Sequence, residues 1–113
     1  MSARTSATNH KRLRVRILAD SAVAMGPGKA DLLEAIATHG SISAAGRAMG
    51  MSYRRAWILV DTMNACFREP LVMTAKGGAE GGGASLTATG TKVLRAYRQL
   101  SAAAEKQFGA LIR

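Results

Sequence analysis

The stretch Gly40 to Asn64, GSISAAGRAMGMSYRRAWILVDTMN, decides the fold. Its small residues Ala45 and Gly46 suit two helices crossing closely, and Gly50 supplies a residue that tolerates φ > 0 at the turn between them. Ile42, Met49 and Met51 are the apolar anchors such a turn needs on either side. Ser43 is placed to cap a short first helix running through Met49, and Ser52 to cap a second beginning at Tyr53. In that second helix Tyr53, Ala56, Trp57, Val60, Met63 and Phe67 form one apolar stripe at helical spacing, with Pro70 as the stop. Arg54 and Arg55 lie off the stripe, in the first turn. The pattern reads as a helix-turn-helix over residues 42–67 whose second helix presents a basic first turn. The bland reading is a helical hairpin with solvated arginines.

Upstream, Leu13, Val15 and Ile17 alternate with Arg14 and Arg16, the period-2 pattern of a half-buried strand. Pro27 stands at a plausible first helical position, and Leu32, Leu33 and Ile36 give a helix over about residues 28–39 that Gly40 ends. Downstream, Leu71 to Lys76 and Ser85 to Thr87 read as two extended arms. Between them GGAEGGGA, residues 77–84, carries too many glycines for a strand interior and reads as a long hairpin tip. Thr87 or Thr89 caps a last helix of about 24 residues, roughly 36 Å long. Its positions Val93, Tyr97, Leu100, Ala104, Phe108 and Leu111 form a seam suited to another helix.

Charge supports a sided molecule. The 113 residues carry a formal net charge of +9, and 22 of the apolar residues are merely alanine. Five basic residues and no acid fall in the first 19 positions, and Arg47, Arg54 and Arg55 stand in an acid-free block at 42–55. Acid-free basic blocks between mildly acidic ones point to one cationic face and a polyanionic partner. Arginine pairs bidentately with guanine, while serine hydroxyls and closely approaching glycine backbone suit phosphates. The expected DNA-contacting residues are therefore Ser41, Ser43, Arg47, Ser52, Tyr53, Arg54, Arg55, Lys76, Gly77 and Gly78. Tyr53 is placed so that its ring could pack inward while its hydroxyl reaches a phosphate. Trp57, mid-stripe, is expected in the core.

Other chemistries find little footing. The lone Cys66 excludes an internal disulfide, and His10, His39 and Cys66 are too scattered for a metal site. The glycine-rich tip lacks the GK[ST] of a phosphate-binding loop, and no nucleophile elbow or HExxH motif occurs. No apolar run approaches a membrane span, and the N-terminus has no continuous apolar signal core. The expectation is a protein that is not an enzyme, needs no metal or cofactor, and works in the cytoplasm on the nucleoid.

GSISAAGRAMGMSYRRAW, the VDTMN helix end, the glycine-rich hairpin and the SLTATGTKVL helix start together resemble the DNA-binding domain of the ModE family of molybdate-responsive regulators. The resemblance runs from about Leu13 to Phe108. It implies a winged helix-turn-helix, mainly α with a small β-sheet, and a dimer gripping a palindromic operator near molybdate-transport genes. It also implies that Ser52 to Arg55 and the wing from Lys76 to Gly83 contact DNA. The family's molybdate-binding modules would follow the last helix, and the sequence ends at Arg113. A stand-alone regulator, or one served by a separate effector-sensing protein, is therefore expected.

The resulting organisation is a disordered basic arm at 1–12, a winged helix-turn-helix at 13–87 with its wing at 71–87, and a C-terminal dimerisation helix at 88–113. A protein-interaction adaptor or a non-specific architectural DNA-binding protein are the alternatives.

Overall fold

The computed structural model describes residues 13–78 and 81–113; the expected basic arm at 1–12 lies outside them. The element order is β1 (Ile17–Ala19), β2 (Ala22–Met25), α1 (Pro27–His39), α2 (Ile42–Ala48), α3 (Tyr53–Cys66), β3 (Val72–Gly78), β4 (Gly81–Leu86) and α4 (Ala88–Phe108), closed by a short 3-10 turn at Gly109–Leu111. Among the described residues, four helices and two separate antiparallel ribbons make a mainly α winged-helix fold.

The N-terminal extended segment departs from its pattern. Leu13 and Val15 are half-buried, but the ladder begins only at Ile17, which is exposed, and pairs with β2, a strand not expected from sequence. Asp20 takes the left-handed conformation at φ 56° to close this hairpin, a role Asp tolerates without announcing it as Asn-Gly would.

Residues 27–39 fold as α1, with Pro27 in the first turn and Gly40 at φ 76° ending the helix. The stripe Leu32, Leu33 and Ile36 is fully buried and packs with Met25, Val60, Met63 and Leu71 in one core. Over that core lies Tyr97 from α4, whose hydroxyl donates to the Val15 carbonyl at 2.7 Å across 82 residues of sequence. Arg98 beside it reaches Asp31 at 2.9 Å and Glu34 at 2.6 Å, pinning α4 to α1. Burial pulls the Arg98 pKa down, but the hydrogen bonds and charges of the two carboxylates outweigh it and raise the value above the ordinary one.

Three expectations change. Ser41, not Ser43, caps α2: its Oγ accepts from the Ala44 N–H at 2.9 Å. The glycine tract is not a long loose tip, because β3 runs to Gly78 and β4 starts at Gly81, leaving only residues 79 and 80 outside the description. Gly83 passes so close to Gly40 that an added Cβ would sit 3.3 Å from its carbonyl oxygen, and Ala84 donates to that same oxygen at 2.8 Å. Absence of side chains there lets β4 lie against the α1–α2 turn. Finally, α3 ends at Cys66, four residues before Pro70, and Phe67 leaves the helix in extended conformation.

Candidate nucleic-acid interface

The crossing of α2 and α3 rests on Gly46. An added Cβ there would stand 3.2 Å from that of Ala56, so the two helices meet where neither can carry more than a methyl group. Gly50, at φ 72°, turns the chain, and the Met51 N–H returns to the Gly46 carbonyl at 2.9 Å. Ser52 then opens α3, its Oγ accepting from the Arg55 N–H at 3.0 Å. Ala56, Val60 and Met63 fix the helix to the core, so the opposite side, with Arg54 and Arg55 in the first turn, faces solvent.

Both cap serines spend an acceptor lone pair on the backbone and keep their O–H for another acceptor. Ser43, released from capping, accepts from Arg47 Nη1 at 2.9 Å and holds that guanidinium along α2. Arg47 remains exposed, with four further guanidine N–H groups to offer. The Tyr53 ring does not pack inward: it is 59% exposed and stands edge-on to Trp57, with centroids 6.2 Å apart and planes at 77°. Trp57 is only half-buried, leaning on the core from its edge, and its buried Nε1 has no hydrogen-bond partner among the described residues.

The wing is set beside this surface by Asn64. Its Oδ1 accepts from the N–H groups of Leu71 at 2.8 Å and Val72 at 3.2 Å, and its Nδ2 donates to the Val72 carbonyl at 3.3 Å. Between the two lies a cleft of about 420 Å³, with Ser41, Ser43, Tyr53 and Trp57 on one wall and Thr74, Ala75 and Gly82 to Ala84 on the other. Three of the expected contact residues, Ser41, Ser43 and Tyr53, thus share one cleft, and Ser52, Arg54 and Arg55 occupy the adjoining helix start. Lys76, Gly77 and Gly78 lie on β3 just beyond the cleft wall. Thr74 and Trp57 were not among the expected contacts. Period-2 reading of residues 72–76 could have flagged Thr74, whereas Trp57 was absorbed into the helical stripe.

The apolar seam of α4 divides. Tyr97 is buried in the domain's own core and Val93 packs against it, so these two are not free for a second helix. Ala104 is half-buried, and Leu100, Phe108 and Leu111 are exposed at 44%, 56% and 76%. Asp31 and Glu34 on α1 are paired with Arg98 of α4, while Asp61 stays exposed on α3. Among the described residues there is no cluster of three metal-ligating side chains, and no helix is long and apolar enough to cross a membrane.

A short helix, a glycine turn, a capped helix with a basic first turn and an antiparallel wing hydrogen-bonded beside it define a winged helix-turn-helix protein. No protein-family model matches the sequence. Individual proteins do. The chain is 42% identical over 87 residues to the molybdenum-pterin-binding protein MopA of Rhodobacter capsulatus, covering 77% of this chain and 33% of that protein. It is 40% identical over 87 residues to the molybdenum transport protein ModE of Azotobacter vinelandii, covering 77% of this chain and 32% of that protein. With the DNA-binding transcriptional dual regulator ModE of Escherichia coli K12 it shares 36% identity over 100 residues, 88% of this chain and 36% of that protein. Over the region it shares with them, the chain belongs to the ModE family. It spans about a third of the length of these relatives.

Proposed function

We propose that the chain is a sequence-specific DNA-binding module of a transcriptional regulator, acting as a homodimer on a palindromic operator. The observation that carries the reading is the exposed pair Arg54 and Arg55 in the first turn of α3, with the wing tied beside it through Asn64. Inserted in the major groove, the helix start would offer the two guanidinium groups to guanine O6 and N7, at about 1–3 kcal/mol of discrimination for each good pair. Ser41, Ser52, Tyr53 and Arg47 held by Ser43 would serve phosphates, and so would the wing from Lys76 to Gly78. Among the relatives, the E. coli protein is named as a DNA-binding regulator and the A. vinelandii protein for molybdenum transport, which directs the search for target genes to molybdenum uptake and use. The proposed setting is the bacterial cytoplasm, on the nucleoid, with no reaction catalysed.

Genomic-fragment selection with the purified chain at physiological salt, followed by salt titration of the selected fragment, tests this reading. Enrichment of a palindrome and a log–log salt slope of several units are expected from counterion release. Arg54→Ala with Arg55→Ala should abolish the enrichment. A protein-interaction adaptor would enrich nothing and show a flat slope, and an architectural protein would bind all fragments alike.

A further inference from the structure

We infer that Ile58 reads a base: its side chain takes the 5-methyl group of a thymine in the major groove, beside the guanines of Arg54 and Arg55. This rests on the DNA-binding reading above and adds a residue that neither the motif nor the relatives' names assign. Ile58 is 48% exposed in the middle of α3. At 3.6 residues per turn it stands about 200° around the helix from Val60 and from Ala56, both fully buried. Its own side of the helix carries Arg54 one turn before, Arg55 three residues before and Asp61 three residues after, all exposed. Ile58 is not among the side chains packed on the core.

A β-branched residue is a weaker helix former than Lys, Glu or Gln, and here about half of its surface is left in water. Neither helix propensity nor folding therefore accounts for isoleucine at this position. The neighbouring Thr62 hydroxyl donates to the Ile58 carbonyl at 2.9 Å, so that turn offers a methyl-bearing face rather than a free hydroxyl. On the major-groove edges of the four base pairs the apolar group is the thymine methyl; the other groups are hydrogen-bond donors and acceptors. An apolar head flanked by two arginines on one face matches a groove in which thymine lies close to guanine. Four residues of helix rise about 6 Å, or roughly two base-pair steps, so the thymine is expected two or three positions from an arginine-read guanine.

The test uses the full chain and the fragment obtained by selection. Each thymine is replaced in turn by deoxyuridine, which removes only the methyl group. For the wild-type chain, one thymine per half-site should show a loss of about three- to fivefold in affinity, the scale of one buried methyl. Ile58→Ala should bind uridine and thymine at that position equally, while Ile58→Val, which keeps an apolar branch, should retain part of the preference. Circular dichroism and a thermal melt verify that both variants fold, as an exposed helical site should allow. If a site is selected but no thymine is methyl-sensitive, or the sensitivity survives unchanged in Ile58→Ala, the inference is wrong and the DNA reading stands. If no site is selected and Ile58→Ala instead weakens capture of a protein partner, both readings fall together.

Discussion

Asn64, two residues before the end of α3, accepts the backbone N–H of Leu71 at 2.8 Å, and this amide sets where the wing departs from that helix. Leu71 and Val72 are buried, so without Asn64 their N–H groups would face no water. Leaving a buried backbone donor unpaired costs about 1–3 kcal/mol. Asn64→Ala should therefore destabilise the chain by about 2–4 kcal/mol in urea unfolding. Asn64→Asp keeps the acceptor for both N–H groups and should cost less than half as much. If the two substitutions cost the same, the amide does not hold the wing through its oxygen.

Glycine positions divide in a way that a matched pair of substitutions can read. A Cβ at Gly90, in the first turn of α4, would lie 2.1 Å from the Leu71 carbonyl oxygen and 2.9 Å from its carbon. That oxygen already accepts from the Thr87 N–H at 2.9 Å, and it is backbone, so it has little room to retreat. At Gly28, in the first turn of α1, nothing stands within 4 Å of the corresponding position. Gly90→Ala should cost more than about 2 kcal/mol, whereas Gly28→Ala should be neutral or stabilising by up to about 1 kcal/mol through helix propensity. Thermal melts of the two variants separate these outcomes, and equal shifts would contradict the close approach of α4 to the wing base.

Arg98 joins α4 to α1 through two carboxylates that are 42% and 53% exposed. Solvent at both pairs limits their worth to roughly 1 kcal/mol or less. The folded pKa of Arg98 is raised, so its contribution is fully present below the unfolded value, itself far above neutrality, and is lost only as pH rises through the still higher folded value. Between pH 5 and 9 Arg98 stays charged in both states, and its part of the stability should not vary. Salt is the effective probe: the cost of Arg98→Met should shrink between 0.05 M and 1 M sodium chloride, as screening weakens the pair. A cost that is independent of salt would assign Arg98 to packing through its methylene stem.

Periodicity and caps made much of this fold legible. The stripe Leu32, Leu33 and Ile36, the Gly50 turn, the Ser52 cap and the Thr87 cap of α4 all appear as spacing and residue type imply. Local rules failed where a distant backbone decided the outcome. Gly81 to Gly83 form a strand because Gly83 lies against Gly40, 43 positions earlier, and no local window of residues contains that contact. Ser43 lost the cap to Ser41 because either serine precedes a plausible first turn, and the choice fell to Arg47, whose guanidinium uses Ser43 as its acceptor. Tyr53 and Trp57 share a stripe with Val60, yet they sit where α3 leaves the core, so the same periodicity serves both the core and the cleft. The position of Ile58 was legible in principle. An apolar residue half a turn off the stripe, one turn after two arginines, is visible as a break in the pattern.

The seam of α4 yields the last prediction, because its two halves should answer different experiments. Tyr97 belongs to the monomer: its ring is buried and its hydroxyl holds the Val15 carbonyl. Tyr97→Phe removes one hydrogen bond and should lower stability by about 1–2 kcal/mol without changing the association state. Leu100 and Phe108 project from the outer half of the helix, where the proposed homodimer needs its apolar contact. Leu100→Glu with Phe108→Glu removes nothing from the core, so far-UV circular dichroism should stay native. Sedimentation velocity should then show a monomer where the unaltered chain sedimentates as a dimer, and operator affinity should fall with loss of the second half-site. If the unaltered chain is itself monomeric at tens of micromolar and binds a single half-site, the outer half of α4 is not a dimer seam. A dimer that survives both glutamates would place its interface elsewhere on the domain.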